Sequence, residues 1–392
     1  MAKELSLYVH IPFCVRKCLY CDFLSFYADK SVQERYFEAL AKEIRISADS
    51  LKDHRVISIF FGGGTPSFPE SKDVCRLLNT IGDNFDVDAD AEISIEVNPA
   101  SAMKEKLSDF RRAGFNRLSI GAQSLNDEEL KALGRAHDSA MFYHTFESAR
   151  EVGFNNINVD IMSALPGQSL DSYLDTVGRV IGLHPEHVSA YSLILEEGTP
   201  FYDMELDLPD EELDRRMYHE TGRMLKEAGY HRYEISNYSG QGYECRHNKV
   251  YWRRGDYLGL GLGAASLVDN IRWSNTRDLK AYEEFFRGVP GGDGSFDLKD
   301  IRQDVEELDV KSQMEEFMFL GLRLTKGVSK RLFFRNFGRD MEEVYKDVIQ
   351  RYIDLELLEW TDYSGEDGGE YLRLTEKGLD VSNTVMADFL LD

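Results

Sequence analysis

The chain has 392 residues, enough for two or three domains, and its 42% hydrophobic and 30% charged content is that of an ordinary soluble globular protein. Acidic residues outnumber basic ones 70 to 46, a net charge of −24, which argues against a nucleic-acid groove and against adhesion to anionic lipid. No apolar run approaches the roughly 20 residues that span a bilayer, the start is too polar for a secretory signal, and five cysteines, three of them clustered, do not make a secreted disulfide framework, so a cytoplasmic protein is expected.

The first 200 residues alternate between two periods. "SLYVHIPF" reads as a strand. Ser31, with Glu34 three residues on, reads as a capping box opening a helix that buries Phe37, Leu40 and Ile44. "VISIFFGGG" is a second strand, with a helix from about Ser71. "EISIEVNP" is a third, with a helix around Lys104 to Ala113. "RLSIGAQS" is followed by one or two helices between Asn126 and Val152. "NINVDIMSALP" leads to a helix from about Ser169 to Ile181, and "HVSAYSLIL" is a sixth strand. Nearly continuously apolar strands alternating with helices predict a parallel α/β sheet. Six units are too few for a closed eight-stranded barrel, so a partial parallel barrel is expected. In such folds ligands bind beyond the C-terminal ends of the strands. There the sequence puts the cysteines, "GGGTPS", "EVNP", "GAQS", "DIMSALPG" and "LEEGTP".

After Pro200 the repeat stops. An acidic helix at about Asp210 to Gly229 precedes an aromatic, glycine-rich segment that reads as loop and short strand rather than helix. "RGVPGGDGS", residues 287–295, is the clearest linker. From about Val310 the chain reads as three helices, then the strands "LLEWTD" and "EYLRLTEKG" around the turn-rich "YSGEDGG". That order predicts a small α+β, winged-helix-like domain, and its acid content points to structural or protein contacts rather than DNA. The expected domains are 1–200, 201–290 and 300–392.

Cys14, Cys18 and Cys21 form a C-x3-C-x2-C motif in the loop after the first strand. A structural zinc takes four ligands, and His10 on the strand is poorly placed as the fourth. A disulfide would leave one thiol over. Three ligands on one tight loop suit a cubane iron–sulfur cluster whose remaining iron is open to a substrate. Cys75, in a predicted helix, reads as core. The spacing, with Tyr20 before the last cysteine, resembles the radical SAM superfamily over the first 200 residues. The resemblance implies a [4Fe-4S] cluster and S-adenosylmethionine (SAM) chelated by the open iron. One electron from the cluster would then cleave the sulfonium bond to give a 5′-deoxyadenosyl radical. "GGGTP", Gly62 to Pro66, would be the turn that meets the methionyl amine. "YVHIPFC", "GGGTPS", "EVNP" and "DIMSALPGQ" resemble the oxygen-independent coproporphyrinogen III oxidase family. That resemblance implies a SAM site lined by Tyr8, Gly63, Gly64, Thr65, Glu96, Gln123, Arg135 and Asp160. Arg135 would fork onto the methionyl carboxylate, and Glu96, Gln123 and Asp160 would meet ribose hydroxyls.

Two features divide that family. The oxidases resemble C-x3-C-x2-C-x-C, and Phe23 stands here at the fourth cysteine. "HNKVYW", His247 to Trp252, is similar to the H-N-x-x-Y-W pattern of the haem-chaperone branch, whose members bind haem and hand it to apoproteins. A neutral imidazole is a good axial haem ligand. His247 is therefore the candidate ligand, with Cys245 a second, and Tyr251 and Trp252 offer flat apolar surface. Arg246, Lys249, Arg253 and Arg254 are a local basic cluster for propionates. The residues alone leave open a histidine satisfied beneath an aromatic lid of the cofactor site. The resemblance thus implies a haem chaperone, with an apo-haemoprotein recipient and an electron donor as partners. The alternative is a coproporphyrinogen oxidase, which would decarboxylate two propionates to vinyl groups.

Overall fold

A computed structural model describes residues 2–288, 297–364 and 368–391. The six expected strands are β1 (Lys3–Ile11), β2 (His54–Gly63), β3 (Asp86–Val97), β4 (Arg117–Gln123), β5 (Ile157–Ser163) and β6 (His187–Ser192). Each pairs in parallel with the next. The monotonic order is that of a partial barrel; a doubly wound sheet would reverse direction at a switch point. Helices α1 (Lys30–Asp49), α2 (Ser71–Asn84), α3 (Lys104–Ala113), α4 (Asp127–Ala132), α5 (Ser139–Glu151) and α6 (Leu170–Gly182) carry the crossovers. Leu7, Ile11, Phe61, Ile95 and Ile120 from successive strands are fully buried in one core with Phe37 and Leu40 of α1. The cap of α1 is Asp29 rather than Ser31. Its carboxylate accepts from the Val32 N–H at 3.0 Å and the Ser31 hydroxyl at 2.7 Å, which starts the helix at Lys30, ahead of Ser31.

The chain beyond residue 200 extends both edges of the sheet. After α7 (Glu211–Glu227), β8 (Asn237–Ser239) adds antiparallel to β6, and β7 (His231–Arg232) pairs antiparallel with β8 at the sheet edge. After α8 (Arg246–Trp252), β9 (Tyr257–Leu260) pairs in parallel with β1, followed outward by β10 (Ala265–Val268), β11 (Ile271–Asn275) and β12 (Arg302–Glu307). Residues 302–307 thus belong to the large sheet, not to the C-terminal unit expected from residue 300. The "HNKVYW" segment, expected as loop and strand, is the helix α8. Its aromatic and β-branched residues favour strands locally, but tertiary contacts override that weak preference. Of the expected linker, residues 289–295 lie outside the described residues; Arg287 and Gly288 close the helix α9 (Leu279–Gly288).

The C-terminal unit comprises α10 (Val310–Gly321), β13 (Val328–Ser329), α11 (Lys330–Phe337), α12 (Met341–Val344), α13 (Lys346–Asp354), β14 (Leu358–Tyr363) and β15 (Gly369–Leu374). The expected strand pair is β14–β15, and the short β13 completes an antiparallel sheet. Met318, Phe333, Tyr345, Leu372 and Phe389 form its own core. It meets the large unit where the Thr325 N–H donates to the Tyr233 carbonyl at 3.0 Å and where Arg254 pairs with buried Glu316 at 2.9 Å.

Glu43 of α1 ties the added strands to the first core. It is 2% exposed and accepts from the Gly261 N–H at 2.8 Å, the Asn275 amide at 2.6 Å and the Tyr282 hydroxyl. Glu43→Ala should therefore destabilise the protein by about 3 kcal/mol or more, since three buried donors lose their acceptor. A denaturant midpoint equal to that of the parent would contradict this.

Candidate functional site

The C-terminal ends of the parallel strands open into a cavity of about 900 Å³. Cys14, Cys18 and Cys21 line it, together with Tyr8, Gly63, Gly64, Thr65, Glu96, Gln123, Arg135, Asp160 and His247. The structure brings the three cysteines, the eight residues expected around SAM and His247 to one chamber.

The cysteine loop is held by the turn after β2. The N–H groups of Gly64 and Thr65 donate to the carbonyls of Ile11 and Phe13, both at 2.9 Å, and Thr65 Oγ1 lies 3.3 Å from Cys14 Sγ. A Cβ on Gly63, at φ +112°, would fall 2.4 Å from the His10 ring, and one on Gly64 2.9 Å from the Pro12 backbone. The glycines thus allow a contact that any side chain would prevent. All five cysteines are free. Among the described residues no fourth thiol lines the chamber beside them, which fits a cubane cluster with one open iron better than a four-ligand zinc. Phe23, in place of a fourth cysteine, is 58% exposed. Cys75 lies elsewhere, its thiol 3.7 Å from the Asp109 carbonyl.

Arg135 projects from the turn after α4 into the chamber. Its guanidinium donates to the Gly121 carbonyl at 2.7 Å and lies 3.7 Å from Cys18 Sγ, and its buried Nε has no partner among the described residues. Gln123 holds a positive φ of +66° where β4 slips register against β5, and its side-chain oxygen accepts from Tyr191 at 3.0 Å. That strain turns the amide into the chamber. Glu96 accepts from the Gly63 N–H at 3.1 Å. Asp160 accepts from Asn158 at 2.7 Å and Ser119 at 3.2 Å. Burial first, then the neighbouring Asp160 charge, pushes the Glu96 carboxyl up to about 8, and burial raises Asp160 as well. Two carboxyls poised this way favour a ligand that brings positive charge or hydroxyl donors.

His247 sits in the wall of the chamber without an open lone pair. Its Nδ1 is 3.0 Å from the Ser58 hydroxyl, its Nε2 is 2.9 Å from the Tyr251 hydroxyl, and its ring stacks on Phe60 at 5.2 Å. Both ring nitrogens, one of which was expected to meet haem iron, are engaged with hydroxyl groups of the protein. Cys245, the second expected ligand, is fully buried, its thiol 3.4 Å from Glu92 and pushed by burial up to about 12. The expected basic cluster is also dispersed. Arg246 donates to the Asp90 carbonyl at 2.7 Å, Arg254 pairs with Glu316, and Lys249 pairs with Glu244 at 3.2 Å. Sequence reasoning missed Arg117, 2% exposed and lining the chamber, with Nε unpartnered among the described residues. Its signal was an arginine opening an otherwise apolar strand, a position where a charge needs a reason.

A parallel partial barrel with this cysteine loop and glycine turn defines a radical SAM protein, and residues 8–180 match the radical SAM superfamily while residues 308–381 match the HemN C-terminal domain. The protein named heme chaperone HemW from Bacillus subtilis (strain 168) is 34% identical over 98% of this chain and 99% of its own. Its namesake from Escherichia coli (strain K12) is 33% identical over 99% and 98%. The mitochondrial radical S-adenosyl methionine domain-containing protein 1 of Danio rerio is 32% identical over 100% and 86%. The chain belongs to the HemW family of radical SAM proteins. The solved structure of coproporphyrinogen III oxidase (HemN) from Escherichia coli superposes with a TM-score of 0.82 over 99% of this chain and 90% of that one, at 24% identity, a likeness of fold alone. A radical SAM domain implies a [4Fe-4S] cluster and SAM. Among the described residues no helix is long and apolar enough to cross a membrane.

The raised Glu96 carboxyl makes a testable demand on stability. The folded protein keeps a proton there that the unfolded chain loses above its ordinary value of 4.5. The associated stability is present below that value and is lost as pH rises through about 8. Glu96→Gln should raise the thermal midpoint most at high pH, near 9, and little at pH near 5. An equal effect at both pH values would refute the assignment.

Proposed function

We propose that this protein is a haem chaperone, binding haem and passing it to apoproteins, in which the radical SAM core is retained. The observation that carries the reading is identity of about a third, over nearly the full length of both chains, with proteins named for that role. Phe23 in place of the fourth cysteine supports it over the coproporphyrinogen oxidase alternative. We further propose that Cys14, Cys18 and Cys21 hold the cluster, and that Tyr8, Gly63, Gly64, Thr65, Glu96, Gln123, Arg135 and Asp160 surround SAM. When bound and reduced, the cluster supplies the electron that cleaves the sulfonium bond.

The protein's own groups suit that ligand. Arg135, with a buried donor unused, offers a charged partner to the methionyl carboxylate. The N–H groups of Gly63, Gly64 and Thr65 are spent within the protein, so a methionyl ammonium is met by carbonyls and by Glu96. Gln123 and Asp160 face the chamber with acceptor oxygens for ribose hydroxyls. Burial of these groups excludes bulk water from the place where a radical would form.

Reconstituted without oxygen, the protein should take up about four irons per chain with broad visible absorption, and Ala at Cys14, Cys18 or Cys21 should abolish this while Cys75→Ala should not. Uptake of one zinc and no iron would overturn the cluster. SAM should alter the electron paramagnetic resonance spectrum of the reduced cluster, and Arg135→Ala should weaken SAM binding by about 1.5–3 kcal/mol, the scale of a charged hydrogen bond. For the chaperone itself, the protein should bind haem, pass it to an apo-haemoprotein, and leave coproporphyrinogen unchanged even with cluster, reductant and SAM. Carbon dioxide release from coproporphyrinogen would restore the oxidase reading.

A further inference from the structure

The edge of the sheet opposite the chamber carries a second cluster of metal-ligating side chains. The N-terminal ends of β1 and β2 lie side by side there, Lys3 opposite His54, and β9 starts beside β1, with Ser6 opposite Tyr257. Three residues far apart in sequence meet at that edge. His54 opens β2, Asp256 precedes β9, and Asp269 stands in the turn between β10 and β11. One imidazole nitrogen and one carboxylate oxygen from each aspartate lie within 4.8 Å of one another. Separate devices hold them in place. The Asp256 carbonyl accepts from the Ser6 N–H at 3.0 Å. Asp269 and Asn270 hold positive φ of +49° and +65° as the central residues of a tight hairpin turn, and Arg254 donates to the Asn270 side chain at 2.9 Å. The Asp269 N–H donates to Asp256 Oδ1 at 3.3 Å, which leaves Oδ2 toward His54.

His54 gives the cluster its direction. Its side chain is 1% exposed, and its Nδ1 is engaged by Asp53 Oδ1 at 2.8 Å. A proton on Nδ1 leaves a lone pair on Nε2, and that buried nitrogen has no hydrogen-bond partner among the described residues. A buried polar atom without a partner needs a reason. Asp256 Oδ2, at 3.8 Å, is too far to form a hydrogen bond with it. That distance is close to the spacing of about 3.3 Å between two ligands on a tetrahedral ion with bonds of about 2.0 Å. The carboxylate on Nδ1 is the outer partner that metal-bound imidazoles commonly have.

We propose that His54 Nε2, Asp256 and Asp269 bind one divalent transition cation of the zinc class, with water completing its coordination. An imidazole among the ligands selects zinc and its neighbours over calcium or magnesium, which take oxygen. Asp269 is half exposed, which gives the ion a path in from solvent. Lys3 is the competitor. Its ammonium sits on Asp269 at 2.5 Å, but its side chain is half exposed, so the pair is weak and the lysine leaves at little cost. The ion joins the start of β2 to a residue four places beyond Trp252, and so fixes the exit of α8, the helix whose first turn Glu92 holds. The site is remote from the cysteines and independent of the chaperone reading.

The test is zinc titration of the cluster-loaded full chain, whose loop cysteines are already taken, read by calorimetry and by metal content after dialysis. The parent should hold about one zinc per chain beside its irons. Asp269→Asn, which keeps a residue tolerant of positive φ, should weaken zinc about tenfold or more, at least the scale of losing an outer partner. His54→Gln should do the same, and iron content should match the parent in both. Lys3→Ala should tighten zinc by removing the competitor. A parent that takes up no zinc would overturn the site. So would parental zinc affinity in Asp269→Asn, or an affinity in Lys3→Ala no higher than the parent's. Should His54→Gln fail to fold, the variants at the exposed Asp269 and Lys3 decide the matter.

Discussion

The turn at Gly62–Gly64 lies against the chain leaving β1 so closely that no side chain fits between them, and this contact fixes the cysteine loop. Two backbone hydrogen bonds and the Thr65–Cys14 contact convert the end of one strand into the template for the loop beginning at the next. A loop carrying three cysteines within eight residues has little freedom to compensate. If the turn moved outward by the width of a methyl group, Cys14 would move with it, and the relation of its sulfur to the other two would be lost. The same turn spends its N–H groups on Ile11, Phe13 and Glu96. One steric constraint therefore sets the path of the cysteine loop and ties Glu96 to the turn beside it.

Beneath the chamber lies a buried polar layer that joins the barrel to α8. Glu92 of β3 accepts from the N–H groups of Arg246 and His247 at 3.1 and 3.2 Å, closing the N-terminal end of α8 with a side chain from another element. Burial lowers the His247 imidazole to about 3, so it stays neutral and bridges Ser58 to Tyr251 as a fixed strut. Arg117 stands nearby, with Glu92 and Asp160 offsetting its charge without touching it as ion pairs. A neutral histidine between two hydroxyls holds position better than a titrating one would. The motif that identifies the family thus has a structural task that is independent of any ligand to iron.

Much of the barrel was legible because its signals are local. Each strand is a short apolar run, each crossover helix shows a 3.6-residue period, and the ligands follow the strand ends by topology alone. The clustered cysteines and the glycine turn were legible because few other chemistries tolerate that crowding. The tail of the chain was harder. Helix α8 is capped by Glu92, which is 154 residues away from Arg246 in sequence, so no local pattern announces it. The dispersal of Arg246, Lys249 and Arg254 onto Asp90, Glu244 and Glu316 is likewise set by neighbours distant in the chain or across the domain junction. Adjacency in sequence made a basic cluster of residues that a helix turns to different sides.

That dispersal also explains how a strongly acidic protein keeps a cationic cleft, of about 1300 Å³, between the large unit and the C-terminal unit. Isolated basic residues on an acidic surface are consumed by ion pairs, as Arg223 is by Glu220 and Glu227. Arg232 and Lys326 escape because aromatic rings, not carboxylates, occupy the space around them. A ring stabilises a cation through its quadrupole without cancelling its charge, so the charge remains in the cleft. The cost is tolerable only where the cations are spread over both sides of a junction between two cores. The interdomain cleft meets that condition: Arg232 and Arg253 come from the large unit, Lys326 and Arg335 from the small one, and the helix between cleft and chamber keeps their field beside, rather than within, the site of the cysteines.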